Sequence, residues 1–128
     1  MILSFCLAGV VAAQPGLPWG DQAPSVTAED VRCASLGQPD YRIDDWNARR
    51  LSARRHGESR ARARLHRYVD DALARTQATP PIAQAVHRLV ERASVTGVRP
   101  LADGSAVVVI AIPRSALRRA ADLEGVPW

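Results

Sequence analysis

Two stretches of the chain place apolar residues at the spacing of an amphipathic helix. The first runs from Asp45 to about Thr76. The second begins at Thr79–Pro81, since proline is tolerated in a first helical turn, and runs to about Ser94. The apolar face of the first helix is predicted to comprise Ala61, Leu65, Tyr68, Val69, Ala72 and Leu73. We expect the core to form around Leu65, Tyr68, Val86 and Leu89.

After Ser94 the apolar pattern changes to that of strands. Val95–Leu101 contains Gly97 and Pro100, which suits an irregular or edge strand, and Asp103–Gly104 is typical of a tight turn. Ser105–Ile112 is an unbroken β-branched run, which predicts a strand covered on both faces, and Ser115–Leu123 predicts a short last helix. A two-stranded hairpin is not stable alone, so a further strand is expected from residues 37–46 or from a second copy of the chain.

The chain before the first helix divides into two parts. Residues 1–13 hold the apolar run Ile2–Val11, followed by small residues of the kind that a signal peptidase recognises, and they are predicted to be a secretory signal peptide. No arginine or lysine precedes the run, so a buried N-terminal segment is the alternative. Residues 14–44 are rich in proline and glycine and are predicted to be a flexible linker, with a short helix over Thr27–Cys33. Residues 45–128 are then predicted to be a small α+β domain of two amphipathic helices, a C-terminal β-hairpin and a short terminal helix.

The composition adds a bias toward one kind of charge. All seventeen basic residues of the 128 are arginine and the net charge is +4, which permits an anionic partner without indicating nucleic acid. Eight arginines fall between Arg49 and Arg67, offset only by Glu58. We predict that Arg60, Arg64 and Arg67 contact an anionic partner such as lipid headgroups, an acidic cell-wall polymer or phosphates, and the alternative is an ordinary solvated helix face.

No pattern of residues indicates catalysis, a metal site or a cofactor. The three histidines, His56, His66 and His87, lack the spacing of metal ligands, and the adjacent pairs Asp44–Asp45 and Asp70–Asp71 do not face one another on a helix. Asp44 or Asp45 is expected to cap the first helix, and Cys33 to be a buried or idle thiol. The chain is therefore predicted not to be an enzyme; a small enzyme that uses Cys33 would instead show a thiol that is alkylated unusually fast.

Several motifs of the C-terminal half resemble a known family. These motifs are the segments Ser59–Leu65 and Ala93–Val98, the turn Asp103–Gly104 before Val107–Ile112, and the residues Arg114 and Leu117. They resemble the small bacterial envelope lipoproteins typified by the twenty-kilodalton membrane lipoprotein, which include the flagellar assembly lipoprotein FlgP. The resemblance covers residues 45–123 and implies an α/β domain that self-associates at the outer membrane with a structural role. Two departures are that Phe5 precedes Cys6, a poor context for lipidation, and that Leu101–Ala102 replaces the family's aromatic residue before the turn.

These observations together predict an exported cell-envelope protein, periplasmic or associated with the outer membrane, with a structural or assembly role. Its expected partners are a second copy or another envelope protein, together with an anionic surface, and nucleic acid is disfavoured. The alternative is a cytoplasmic nucleic-acid-associated protein that uses the arginine-rich helix. It requires residues 1–13 to be retained and binding that falls steeply with salt.

Overall fold

The computed structural model describes residues 23–128, which form one antiparallel sheet with helices packed against it. In chain order the elements are β1 (Ser25–Val26), β2 (Asp30–Gly37), α1 (Trp46–Leu73), α2 (Pro80–Glu91), β3 (Ser94–Pro100), β4 (Ala106–Pro113) and α3 (Arg114–Ala120). The strands are arranged in the order β1-β2-β4-β3, with every neighbouring pair antiparallel. The predicted α+β class, with two amphipathic helices, a C-terminal hairpin and a short terminal helix, is confirmed.

Strand β2 lies in the segment that the sequence assigned to a flexible linker. It pairs with β4 along its whole length, from Asp30 opposite Pro113 to Gly37 opposite Ala106. The helix predicted over Thr27–Cys33 is wrong, because Thr27 closes the turn between β1 and β2: its N–H donates to the carbonyl of Asp30 at 2.8 Å. The buried positions of β2 include a cysteine and a serine. The alternation of buried and exposed side chains that marks a strand is therefore weak here when only large apolar residues are considered. The additional strand that the hairpin needs was expected from residues 37–46 or from a second copy of the chain, and it comes instead from residues 30–37 of the same chain, because these residues supply the alternating buried side chains.

Helix α1 lies across β2 and β4 as one uninterrupted 28-residue helix. Asp45 caps it as predicted, since its Oδ2 accepts the N–H of Ala48 at 2.8 Å. The first half of its buried face consists of small residues, and Gly57, in the middle, lies directly against Gly37 of β2. Gly57 therefore permits the closest approach of helix and sheet and does not interrupt the helix.

The core lies between the sheet and the three helices of residues 23–128. The central strand β4 contributes Val108, Ile110 and Ile112, and the helices contribute Leu65, Val86, Val90 and Leu117 among others. Of the four core residues expected from the sequence, Leu65 and Val86 are fully buried, and Tyr68 and Leu89 are partly buried against them. The last residue, Trp128, is also buried, and its indole N–H donates to the carbonyl of Ala121 at 3.3 Å.

Strand β3 is an irregular edge strand, as predicted. Its register with β4 shifts between Val95 and Gly97, and the following turn places Gly104 at φ 92°, where a residue without Cβ is favoured. No helix within residues 23–128 is long and apolar enough to cross a bilayer. The predicted signal peptide, residues 1–13, lies outside the described residues.

Candidate functional site

The three arginines predicted to contact an anion lie side by side on α1. Arg60, Arg64 and Arg67, together with Ala63, line a shallow depression of about 350 Å³. Arg60 Nη1 donates to the carbonyl of Leu36 at 3.0 Å, and Arg64 Nη1 donates to the carbonyl of Ala34 at 2.9 Å. Both carbonyls belong to β2 beyond the two residues that β1 pairs, so these guanidinium groups satisfy a sheet edge. Arg67 is exposed, and an anionic contact by the three residues stays a prediction.

Arg62, which the sequence did not single out, connects α1 to the end of α2. Its Nη1 donates to the carbonyls of Val90 at 2.7 Å, Glu91 at 3.0 Å and Ala93 at 3.3 Å, and its Nη2 donates to Glu58 Oε2 at 2.7 Å. The last carbonyls of a helix have no partner within it, and a cation also interacts favourably with the negative end of the helix dipole. The arginine-dense stretch is thus partly a structural device.

A groove runs between the first half of α1 and the hairpin of β3 and β4, and we call it the α1–hairpin groove. It encloses about 310 Å³ and is lined by Asn47, Arg50, Leu51, Arg54, Val98, Pro100, Gly104, Ser105 and Ala106. Leu51 is 44% exposed and Val98 36% exposed, although both are apolar. Trp46, 49% exposed, packs beside Gly104 at one end, since a Cβ on Gly104 would lie 3.6 Å from its ring. Arg50 and Arg54 are exposed on the helix side.

The sequence pattern indicated this groove only indirectly. The first half of α1 offers Leu51 as its one large apolar side chain, apart from the flanking Trp46, and this pattern indicates weaker packing than in the second half. In the structure Ala53 and Gly57 form the contact with the sheet, and Leu51 remains partly exposed. Which hairpin residues lie opposite Leu51 could not be read from the sequence, because they follow it by more than forty positions.

His66 of α1 and His87 of α2 form a second cluster. Their Nδ1 atoms lie 2.7 Å apart, and the ring centroids are 4.9 Å apart with an angle of 21° between the planes. The outer nitrogen of each ring meets a carboxylate: His66 Nε2 bonds Glu91 Oε2, and His87 Nε2 bonds Asp70 Oδ1 at 2.6 Å. The hydrogen bond from His66 lowers the pKa of Glu91. Desolvation of the Glu91 carboxylate opposes this shift, and nearby positive charges reinforce it.

Cys33 is buried in β2, only 1% exposed, as the expectation of a buried thiol requires. His56 is used elsewhere: its Nδ1 accepts the N–H of Gln38 at 2.8 Å and holds the end of β2 against α1. Among residues 23–128 no group of three or more histidine, cysteine or carboxylate side chains is arranged to hold a metal ion.

Comparison of the chain with protein-family models, with curated proteins and with solved structures finds no match. The resemblance of residues 45–123 to the envelope lipoproteins therefore stays a prediction.

Proposed function

We propose that this chain is an exported protein of the bacterial cell envelope with a structural or assembly role, and that it binds a partner through the α1–hairpin groove without catalysing a reaction. The observation that supports a binding role is the grouping of Trp46, Leu51 and Val98, three exposed apolar side chains, around one groove. Grouped apolar side chains on a soluble surface are a common mark of an interaction site, whereas single ones are ordinary. The location is supported by the apolar run of residues 2–11 and the small residues that follow it.

The chemistry of the groove favours a protein partner over a small molecule. Tryptophan and arginine are the residue types that most often dominate binding energy at protein interfaces. Here Trp46 lies at one end of the groove, and Arg50 and Arg54 lie along it, one and two turns further on α1. The groove is open along its length, so an extended surface fits it better than a small enclosed ligand.

The partner that fits best is a second copy of this chain. The exposed carboxylate of Asp44 lies just before α1, next to Trp46, and the exposed guanidinium groups of Arg50 and Arg54 follow along the same helix. A two-fold axis across this region would bring Asp44 of one copy toward Arg50 or Arg54 of the other, and would cover Leu51 of both. Opposite charges at the two ends of one patch make that patch complementary to itself.

Self-association is tested by sedimentation of the mature chain over a range of concentrations, with three variants. Arg54→Glu and Leu51→Ser change the groove, and Arg55→Glu is the matched control, because it makes the same charge change at the next position and outside the groove. We expect the wild type and Arg55→Glu to dimerise alike and each groove variant to associate at least about tenfold more weakly. A wild type that stays monomeric, or groove variants that associate like it, would contradict the proposed interface.

Export is tested separately by the mass and the cell fraction of the untagged chain in a bacterial host. A periplasmic product that begins near Gln14 supports the envelope role. An intact chain in the cytoplasm overturns it and favours the nucleic-acid alternative, whose signature is affinity that falls linearly with the logarithm of salt concentration.

A further inference from the structure

We infer that His66 and His87 form a proton-sharing pair, a pH-sensitive link between α1 and α2. The link is firmest while the two rings together carry one positive charge, and it weakens when the pair gains a second charge or loses the first. The pair joins residues 21 positions apart and lies outside the α1–hairpin groove. It is independent of the proposed function.

The two rings meet edge to edge through their Nδ1 atoms, which lie 2.7 Å apart, the distance of a hydrogen bond. The ring centroids are 4.9 Å apart, which is that distance plus roughly one ring radius at each end, so the two nitrogens face each other in line. The ring planes differ by 21°. Two nitrogens in this position share one hydrogen, because two lone pairs would repel, and so would two N–H groups that point at each other.

The carboxylates on the outer side of each ring fix the number of hydrogens. Glu91 accepts from His66 Nε2, and Asp70 accepts from His87 Nε2 at 2.6 Å. The hydrogen bond from His66 lowers the pKa of Glu91, so this carboxylate is ionised at neutral pH and has no hydrogen to donate. Two Nε2–H groups and one shared Nδ1 hydrogen make one hydrogen more than two neutral imidazole rings carry. The pair therefore holds one positive charge between two carboxylates.

The remaining charged groups around the pair leave this hydrogen in place. Arg55, Glu58 and Arg62 line a surface depression of about 470 Å³ together with His66 and Glu91. Arg62 pairs with Glu58 at 2.7 Å, and on α2 the exposed Arg88 follows His87 directly. Within residues 23–128 the ion pairs of the two rings are those with Glu91 and Asp70. Each histidine side chain is 28% exposed, so protons of the solvent reach the pair.

This fixed charge makes the strength of the link depend on pH in both directions. Two histidines of the unfolded chain bind one proton on average near pH 6.5, nearly two at about pH 5.5 and almost none at about pH 7.5. The folded pair keeps one, so the unfolded chain binds more protons than the folded chain in acid and fewer in alkali. The unfolding equilibrium constant therefore rises on both sides of pH 6.5, by about threefold for one pH unit.

The test is urea unfolding of the untagged chain at about pH 5.5, 6.5 and 7.5, compared at each pH with the double variant His66→Gln/His87→Gln, which keeps every other titrating group. We expect the unfolding constant of the wild type, relative to the double variant, to be lowest at about pH 6.5 and about threefold higher at both other values. His66→Gln alone should lose this optimum, because a single histidine beside Asp70 favours the folded state only toward acid.

His56→Gln, introduced into the wild type and the double variant alike, is the matched control. His56 lies on the same helix and bonds Gln38 instead, so this substitution should leave the optimum in place. A relative unfolding constant that does not vary with pH, or that varies in one direction only, overturns the inference. Loss of the optimum in the His56→Gln background would do so as well, because it would assign the pH dependence to another histidine.

Nitrogen NMR of the wild type counts the hydrogens directly, and it decides the matter if the double variant does not fold. Near pH 6.5 the two rings should carry three hydrogens, and the two Nδ1 nuclei should show scalar coupling through the hydrogen bond between them. A pair with two or four ring hydrogens at this pH contradicts the proton-sharing arrangement.

Discussion

The contact between Gly37 of β2 and Gly57 of α1 predicts that Gly37→Ala severely destabilises the domain. A Cβ on Gly37 would lie 1.9 Å from the carbonyl oxygen of Ala53 and 2.5 Å from the nitrogen of Gly57. Ordinary contact between carbon and oxygen is about 3.3 Å, so the oxygen is too close by about 1.4 Å. Both obstructing atoms belong to the helix backbone, which no change of rotamer can move.

The cost follows from what the helix must give up. If α1 moved outward, even a gap of 0.5–1 Å, less than the overlap to be relieved, would already forfeit about a quarter to a half of each dispersion contact along its buried face. Overpacking a core typically costs about 1–3 kcal/mol and more where the backbone must shift, so we expect about 3–5 kcal/mol for Gly37→Ala. That is a large share of the roughly 5–15 kcal/mol by which small domains are stable.

Gly57→Ala is the milder variant that remains measurable if Gly37→Ala does not fold. Its Cβ would lie 2.7 Å from Cγ2 of the buried Val108 and 3.2 Å from the backbone nitrogen of Gly37, which is a weaker clash than that at Gly37. Alanine also gains about 1 kcal/mol over glycine within a helix. The net loss should be about 0–2 kcal/mol. Gly97→Ala is the control, since nothing lies within 4 Å of its Cβ, and it should change stability by less than about 0.5 kcal/mol.

Urea unfolding followed by far-ultraviolet circular dichroism measures these differences, provided the slope against urea is the same for each variant. The order of stability should be Gly97→Ala, then Gly57→Ala, then Gly37→Ala. If Gly37→Ala unfolds within about 1 kcal/mol of the wild type, the close approach of α1 to the sheet is not what holds the domain together.

Two further predictions concern charged groups of the same domain. Arg62→Ala should lower the free energy of unfolding by about 1.5–3 kcal/mol, because it leaves the carbonyls at the end of α2 without their charged donor. Arg42→Ala is the control and should leave the free energy of unfolding nearly unchanged, because Arg42 pairs with Asp40 at the surface. Equal effects of the two substitutions in urea unfolding would argue against the capping role. Partial burial raises the pKa of Asp30, but the hydrogen bonds from Arg32 and Thr27 outweigh this effect, so the pKa is lowered overall. The ionised Asp30 therefore stabilises the folded domain above about pH 4, and this stabilisation is lost as the pH falls below that. The stability difference between wild type and Asp30→Asn should therefore shrink from pH 7 to pH 3 in thermal unfolding, and a constant difference would refute this assignment.

The sequence by itself determined the helices and the hairpin. The apolar stripe from Ala61 to Leu73, the capping Asp45 and the prolines after Thr79 act locally, and their patterns extend over several turns, so α1 and α2 begin where expected. The β-branched run of β4 and the Asp103–Gly104 turn carried the same kind of local information.

Only the tertiary structure decided the role of residues 25–37. Their alternation buries Val31, Cys33 and Ser35, and two of these are small or polar, so the segment becomes a strand because β4 needs a neighbour on that side. From the sequence, the prolines and glycines around it and its weak periodicity assigned it to a linker. The contact of Gly37 with Gly57 likewise could not be predicted from either segment alone, because each glycine is required only by the closeness of the other segment.

The same reason limits what could be foreseen of the sites. Arg60, Arg64 and Arg67 could be grouped from the sequence because they share one face of one helix. The carbonyls that Arg60 and Arg64 bond, however, lie on a strand 24 and 30 positions earlier. The groove and the histidine pair each combine residues from elements distant in the chain, and no spacing rule links His66 to His87. Local periodicity determines which residues share a face, whereas the packing of α1 on the sheet and on α2 determines which faces meet.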